Sequence, residues 1–260
     1  MLPIPATQLN GAATLGHYWT FYRAVAAAQL KQWLPKRPVR VADVSGGHGR
    51  WSAQAALAGH TVIEVHDFRR ADNDRQLAGV GPVGTVAQGP GALQPGPVAR
   101  VRAEGLRFLD DRSVDAVLAE ERTLSVDLVT ETLVAEIARV LRPGGRVLAC
   151  VDSLVLGMAI LAEQQQWAHL RLTEDVMLVP WPDGSITRCF SAAHLHELFA
   201  GAGLVVEWIR PRTVLSPSTV DHVLGADSRA LPWLVRTELA TRPDGDDTVG
   251  IHLLVSARRP

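Results

Sequence analysis

The stretch Val41-Ala42-Asp43-Val44-Ser45-Gly46-Gly47-His48-Gly49 decides how the chain folds. It begins as a short apolar, β-branched run, which is typical of a buried strand, and it ends in a glycine-rich turn. Helical composition resumes from Arg50 to Ala58. A strand that runs through a glycine turn into a helix N-terminus forms a cradle for a ligand, because small residues let the backbone approach it. A lone glycine cluster is as often just a tight turn, so its neighbours must decide.

The neighbouring segments alternate between strand and helix. A helix free of Gly and Pro is predicted from His17 to Leu34, a second helix over residues 129–141, and strands over residues 39–44, 61–65, 115–119 and 146–151. This alternation indicates βαβ units and a doubly wound, mostly parallel α/β sheet. Between the strands at 61–65 and 115–119, residues 79–97 are dense in Gly and Pro and are predicted to form a mobile loop.

The last third of the chain departs from this alternation. Residues 154–170 are helical in composition, and Ser191 is predicted to cap a helix that ends near Gly201. A strand follows over residues 204–209, and a long polar connection leads to a closing strand over residues 249–256. Because this strand is not reached through a βαβ unit, we expect it to be antiparallel and to lie at an edge of the sheet.

Composition excludes several classes of protein. The 260 residues carry 26 Lys+Arg against 27 Asp+Glu, without a block of like charge, so no nucleic-acid footprint is visible. The longest apolar run, Leu154 to Ala162, is too short to span a bilayer, and the N-terminus does not resemble a signal peptide. Two cysteines, Cys150 and Cys189, favour a reducing, cytoplasmic compartment. The sequence contains no motif that argues for a metal site.

Several motifs in this order resemble those of the class I S-adenosylmethionine-dependent methyltransferases of the small-molecule, bacterial type. They are the Asp43–Gly49 stretch, the acidic strand end from Glu64 to Asp67, residues 106–117, the run from Glu136 to Val147 with its Arg-Pro-Gly-Gly turn, and residues 191–206. The resemblance implies a Rossmann-like methyltransferase fold, with a seven-stranded sheet whose last strand is antiparallel. It also implies S-adenosyl-L-methionine as cofactor and a single domain over residues 1–260, with an N-terminal helical cap at 1–35 and a lid insertion at 153–190.

The resemblance also places the cofactor. The matching positions of the first motif are Asp43, Ser45, Gly46, Gly47 and Gly49. Ser45 stands where the family has its first glycine, and since serine tolerates a left-handed backbone less readily, we expect a reshaped loop or a reduced affinity. For the ribose hydroxyls, the family spacing falls on His66, so Asp67 is the first candidate carboxylate and Glu64 the second. Glu104 is the candidate for the adenine amino group, or a solvated strand end.

Methyl transfer is expected at the carboxyl end of the fourth strand, directly before Glu120. Candidate bases are His17, Tyr18, Glu120 and His169, and His17 is preferred because a neutral imidazole near pH 7 suits the task. His17 can also simply begin its helix, and His169 can complement a helix C-terminus. Trp167 and Trp181 in the insertion suit a planar or apolar acceptor, or else anchor the insertion on the core.

The predicted function is therefore direct in-line methyl transfer to a small-molecule acceptor, without metal, nucleic acid or membrane. The oligomeric state stays open, with a homodimer as one option. The main alternative is a protein of methyltransferase fold that no longer transfers methyl groups and serves as a ligand-binding protein, a partner subunit or a catalyst of another reaction. A nicotinamide dehydrogenase is disfavoured because Ser52 replaces the third glycine of that fingerprint.

Overall fold

The protein is known from a computed structural model that describes residues 16–46, 48–66, 95–166, 176–181, 184–241 and 249–260. Its α-helices are α1 (Gly16–Trp33), α2 (Arg50–Leu57), α3 (Thr123–Val126), α4 (Thr130–Val140), α5 (Leu154–Glu163), α6 (Ala192–Gly201), α7 (Pro217–Ala226) and α8 (Leu231–Ala240). Its strands are β1 (Arg40–Asp43), β2 (Thr61–His66), β3 (Val98–Arg102), β4 (Val114–Ala119), β5 (Leu141–Ser153), β6 (Val176–Pro180), β7 (Ile186–Phe190), β8 (Val205–Pro211) and β9 (His252–Arg258). The loop predicted over residues 79–97 lies outside the described residues, except for residues 95–97.

The described strands form one mixed sheet, which confirms the predicted α/β fold with its antiparallel last strand. Strands β3, β2, β1, β4 and β5 are parallel neighbours in that order, and β9 runs antiparallel to β5 and to β8. The prediction that the last strand lies at the edge is wrong, because β9 is hydrogen-bonded on both sides. Six of its seven residues are buried, and an edge position would leave a row of their backbone groups unpaired.

The sheet of described residues has nine strands, two more than predicted, because the insertion after β5 contains a hairpin. Strand β5 runs past the end of β4, and β7 pairs with it there through Asp152↔Cys189 and Ser153↔Phe190. Strand β6 completes the hairpin in antiparallel pairing with β7. The preceding helix α5 ends at Glu163, earlier than predicted, and packs on the hairpin through a small apolar cluster.

Helices cover both faces of the sheet. One apolar cluster joins α4 and α6 to the sheet, and a second joins α1 and α2 to its other face. Because side chains alternate along a strand, the second face receives Val41, Val62, Leu118 and Cys150, and two residues further on it receives the polar side chains that end these strands. These polar side chains therefore lie at the carboxyl edge of the sheet, on the face that α1 covers.

The polar connection predicted between the last two strands contains two further helices. Ser216 caps α7 by accepting a hydrogen bond from the Thr219 amide at 3.2 Å, and Pro217 occupies the first helical position. Helices α7 and α8 pack on α1 through a third apolar cluster that includes Phe21, Val220 and Leu234. The helical cap is therefore built from both ends of the chain. No helix in the described part of the chain is both long and apolar enough to cross a membrane.

Residues Pro143, Gly144 and Gly145 lie within the first turnlike part of β5, close to its start at Leu141. Gly144 has the positive φ, +77°, that the turn predicts, and its amide donates to the Arg259 carbonyl at 2.9 Å. Gly145 is close-packed: an added Cβ would lie 2.8 Å from the Arg142 carbonyl oxygen and 3.0 Å from that of Asp115. Any larger residue at position 145 must therefore move backbone atoms.

We expect Gly145→Ala to lower the free energy of unfolding by about 1–3 kcal/mol, as overpacking of a filled site does. Gly201→Ala is the matched control, since an added Cβ there meets no atom within 4 Å. Urea denaturation of both variants measures the effect. Equal stability of the two variants would contradict the close packing described for this turn.

Candidate active site

The loop between β1 and α2 is a cradle of small residues. Gly46 and Gly49 have positive φ values of +101° and +69°, and Gly47 lies outside the described residues. The Asp43 carboxylate at the end of β1 accepts hydrogen bonds from the Ser45 amide at 3.0 Å and from the Ser52 hydroxyl at 2.6 Å. Burial raises the pKa of Asp43, and these hydrogen bonds oppose the shift. Asp43 thus fixes the two ends of the loop instead of facing solvent.

Ser45 joins this loop to the neighbouring strand. Its backbone is not left-handed, so the strain expected from a serine at this position does not arise. Its hydroxyl oxygen accepts a hydrogen bond from the Glu120 amide at 2.9 Å. A glycine here would leave that buried amide without its partner, which costs about 1–3 kcal/mol. Ser45 therefore ties the loop after β1 to the end of β4.

Glu64 lies on β2 beside the cradle, with 1% of its side chain exposed. Arg100 Nε donates to its Oε2 at 3.1 Å. His66 Nε2 lies 3.1 Å from the other oxygen, Oε1, but the contact does not have hydrogen-bond geometry. Oε1 is buried, and it has no hydrogen-bond partner in the described structure. An added Cβ on Gly49 would come within 3.6 Å of this same oxygen. A buried carboxylate oxygen beside a glycine cradle fits a vicinal diol such as that of a ribose.

The other predicted cofactor residues lie elsewhere. Asp67, the first candidate for the ribose, is outside the described residues. Glu104 is exposed, two residues after the end of β3. The structure therefore brings together Asp43, Ser45 and Glu64.

Glu120, directly after β4, is held in a buried ion pair. Its Oε2 contacts Arg212 Nη2, and the side chains of Glu120 and Arg212 are 3% and 1% exposed. Gln29 of α1 accepts from Arg212 Nη1 at 2.9 Å and donates to the Arg212 carbonyl at 3.1 Å. Burial raises the pKa of Glu120, and the Arg212 guanidinium opposes that rise. Glu120 Oε1 is buried and keeps no hydrogen-bond partner among the described residues.

The next two residues adopt a strained backbone. Glu121 and Arg122 have φ values of +54° and +61°, and each such residue costs about 1–3 kcal/mol. Arg122 donates two hydrogen bonds of 2.7 Å to Asp152 at the end of β5, and its guanidinium lies 4.7 Å from the ring centre of Trp181. Glu121 accepts from Trp51 Nε1 at 3.1 Å. These contacts hold the strained turn where the acceptor is expected.

His252, the first residue of β9, completes this edge. Its Nε2 lies 3.5 Å from Asp152 Oδ1, and its ring packs edge-on against Tyr22 of α1 with ring centres 5.4 Å apart. Burial lowers the pKa of His252 to about 3, and Arg122 and Arg212 add to this effect. The imidazole is therefore neutral at physiological pH.

Sequence reasoning missed Asp152, Arg212 and His252. The signal for His252 was available, because an antiparallel closing strand must begin at the edge where the parallel strands end. Of the predicted bases, His17 is exposed in the first turn of α1, Glu120 is engaged with Arg212, and His169 lies outside the described residues, as does Trp167. Within the described ranges, no group of three or more His, Cys, Asp or Glu side chains is placed to hold a metal ion.

Comparison with known proteins identifies the class. Residues 42–149 match the sequence model of the family described as "Methyltransferase domain". They span the stretch from the glycine cradle to β5. Residues 42–149 therefore match a methyltransferase domain, and such a domain implies S-adenosylmethionine as the cofactor.

Solved structures share the fold at low identity. A SAM-dependent methyltransferase from Methanosarcina mazei is 16% identical with a TM-score of 0.56, over 89% of this chain and 96% of that one. The 1,6-didemethyltoxoflavin-N1-methyltransferase of Burkholderia thailandensis is 17% identical with a TM-score of 0.53, over 99% and 93% of the two chains. The [4+2]-cyclase SpnF is 16% identical with a TM-score of 0.51, over 92% and 80%. A comparison with curated proteins found no match.

The neutral His252 predicts a specific pH dependence of stability. An unfolded chain protonates this imidazole near its ordinary pKa of 6.5, whereas the folded chain does so only near 3. The unfolded state therefore binds the extra proton between these values, and the free energy of unfolding falls as pH falls. From pH 6.5 to 5.0 the loss from His252 alone is about 2 kcal/mol.

We expect His252→Gln to remove this loss, so that its stability changes less than that of the wild type between pH 6.5 and 5.0. His196→Gln, which removes an exposed imidazole from α6, is the control. Guanidinium denaturation at the two pH values measures the difference. An unaltered pH dependence in His252→Gln would show that this imidazole is not held neutral by the fold.

Proposed function

We propose that the chain transfers a methyl group from S-adenosylmethionine to a small-molecule acceptor by direct in-line displacement at the carboxyl edge of the sheet. One observation carries the proposal: the Glu64 carboxylate is buried beside Gly49 and keeps one oxygen without a hydrogen-bond partner in the described structure. Such an oxygen is costly to bury unless a ligand completes it. A diol in the cradle supplies the missing donors.

The chain's own residues divide the cofactor site between three strands. Glu64 takes the ribose hydroxyls, the backbone of the loop held by Asp43 and Ser45 takes the methionine portion, and Glu120 faces positive charge at the end of β4. When bound, S-adenosylmethionine supplies a methyl group on a sulfonium, which is already an activated leaving group. The protein then mainly has to align two reactants, and orientation alone lowers a barrier by about 7–11 kcal/mol.

The acceptor pocket is proposed between α1 and the insertion at residues 153–190. Tyr22 stands on one side and Trp181 on the other, with Asp152 and His252 between them. Aromatic side walls suit a small planar molecule. Tyr22, half-buried on α1, also links the cap to this pocket.

The base that removes the acceptor's proton stays a prediction. His17 is the preferred candidate for a hydroxyl acceptor, since Glu120 is engaged with Arg212. A cytoplasmic setting is likewise proposed, and the free thiols of Cys150 and Cys189, both buried, agree with a reducing compartment.

A second candidate function is ligand binding or another reaction without methyl transfer. His66 favours this second function, because it occupies the position at which the family spacing expects the carboxylate that binds the ribose. Glu64 would have to bind the ribose instead. The likeness to SpnF, a cyclase of the same fold, is in line with it. Release of S-adenosylhomocysteine during a metabolite screen distinguishes transfer from binding alone.

We expect Glu64→Gln to weaken S-adenosylmethionine binding about 10- to 100-fold, because it removes a charged acceptor of two hydroxyl donors. Glu197→Gln is the control, since Glu197 is exposed on α6 over the opposite face of the sheet. Isothermal titration calorimetry measures both. No binding by the wild type at millimolar cofactor would refute the proposed function, and undiminished binding by Glu64→Gln would place the ribose elsewhere.

A further inference from the structure

Arg212 is the largest fully buried side chain in the described part of the protein. It follows β8, and its backbone amide donates to the His252 carbonyl at 2.9 Å. Gln29 of α1 binds both its guanidinium and its carbonyl oxygen. A buried arginine with its backbone and side chain both held is a rigid anchor, and its guanidinium is directed at Glu120.

Glu120 is held just as firmly, apart from one atom. Its amide donates to Ser45, its carbonyl oxygen accepts from the Thr123 hydroxyl at 2.7 Å, and its Oε2 contacts Arg212. Oε1 alone is left, buried and without a hydrogen-bond partner among the described residues. The side chain lies on the α1 face at the carboxyl end of β4, one hydrogen bond away from the cofactor loop.

We propose that Arg212 is a positioning residue that holds the Glu120 carboxylate so that Oε1 faces the sulfonium of S-adenosylmethionine. This inference rests on the proposed function, because it requires the cofactor at this edge. It gives the chain a preference for S-adenosylmethionine over S-adenosylhomocysteine, since the two molecules differ at the sulfur, where only the first carries a positive charge.

The charge of Glu120 depends on its surroundings. The charged and titratable groups that face it are Arg212, Tyr22 of α1, Cys150 of β5, Asp43 of β1 and its neighbour Glu121. Only Arg212 among them is a cation, and burial alone favours the protonated acid. Without Arg212, Glu120 takes up a proton at a higher pH, and its attraction for the sulfonium is lost as pH falls.

The experiment compares dissociation constants of S-adenosylmethionine and S-adenosylhomocysteine by calorimetry between pH 5.5 and 8.5. We expect Glu120→Gln to reduce the preference for S-adenosylmethionine about tenfold at every pH, the effect of one charge-assisted contact. Arg212→Gln is expected to lose the preference progressively as pH falls, and Arg212→Lys to restore part of it. Arg146→Gln, which breaks a half-exposed ion pair with Glu207, is the control.

A double variant, Glu120→Gln with Arg212→Met, guards against misfolding, because replacing both members of a buried ion pair is tolerated better than removing one. It is expected to match Glu120→Gln, with no pH dependence of the preference. Folded variants that keep the wild-type preference at all pH values would overturn the role of Arg212. A wild type that binds neither molecule would overturn the proposed function itself, and this inference with it.

Discussion

The burial of carboxylates at one edge of the sheet is the constraint on which the rest of the structure depends. Each ionised group removed from water costs several kcal/mol unless a partner of opposite charge and good geometry meets it. Arginines supply that partner for Glu64, Glu120 and Asp152. Each of these arginines comes from a different part of the chain, so the pairs also fix how β3, the turn after β4 and the end of β8 meet at this edge.

These ion pairs do not satisfy every carboxylate oxygen. Asp152 has both oxygens bound by Arg122, whereas Glu64 and Glu120 each keep one buried oxygen without a hydrogen-bond partner in the described ranges. The two oxygens lie at the ends of β2 and β4, on either side of the cradle after β1. A ligand that carries a diol and, a few bonds away, a cation would complete both, and S-adenosylmethionine carries these two groups.

Much of the fold could be predicted from the sequence, wherever the signal for an element lay in that element's own residues. The β-branched run before Asp43, the glycine turn and the Arg-Pro-Gly-Gly turn each depend on neighbouring residues, and the elements they predict are confirmed. The hairpin β6–β7 and helices α7 and α8 were missed. The first is stabilised by the long end of β5 and the second by α1, and such distant partners leave no periodic pattern in the segment itself. Pro217 lies in the segment predicted as a long polar connection, and it begins α7.

The residues of the candidate site also differ in whether the sequence carried a local signal for them. Asp43, Ser45 and Glu64 could be placed because they lie at or near the ends of parallel strands, in two of the motifs that resemble the family. Arg212 could not, since its position depends on how β8 pairs with β9, more than 90 residues after β4. His252 was missed although the antiparallel closing strand β9 carried its signal. The role of Ser45 also needed the structure: a departure from the family glycine turns out to bind the Glu120 amide.

A crystal structure with S-adenosylhomocysteine tests the central claim most directly. We expect the ribose hydroxyls to be hydrogen-bonded to Glu64 and the sulfur to lie at the carboxyl end of β4 beside Glu120. A ligand whose ribose contacts neither Glu64 nor its neighbours on β2, or one bound away from this edge, would contradict it.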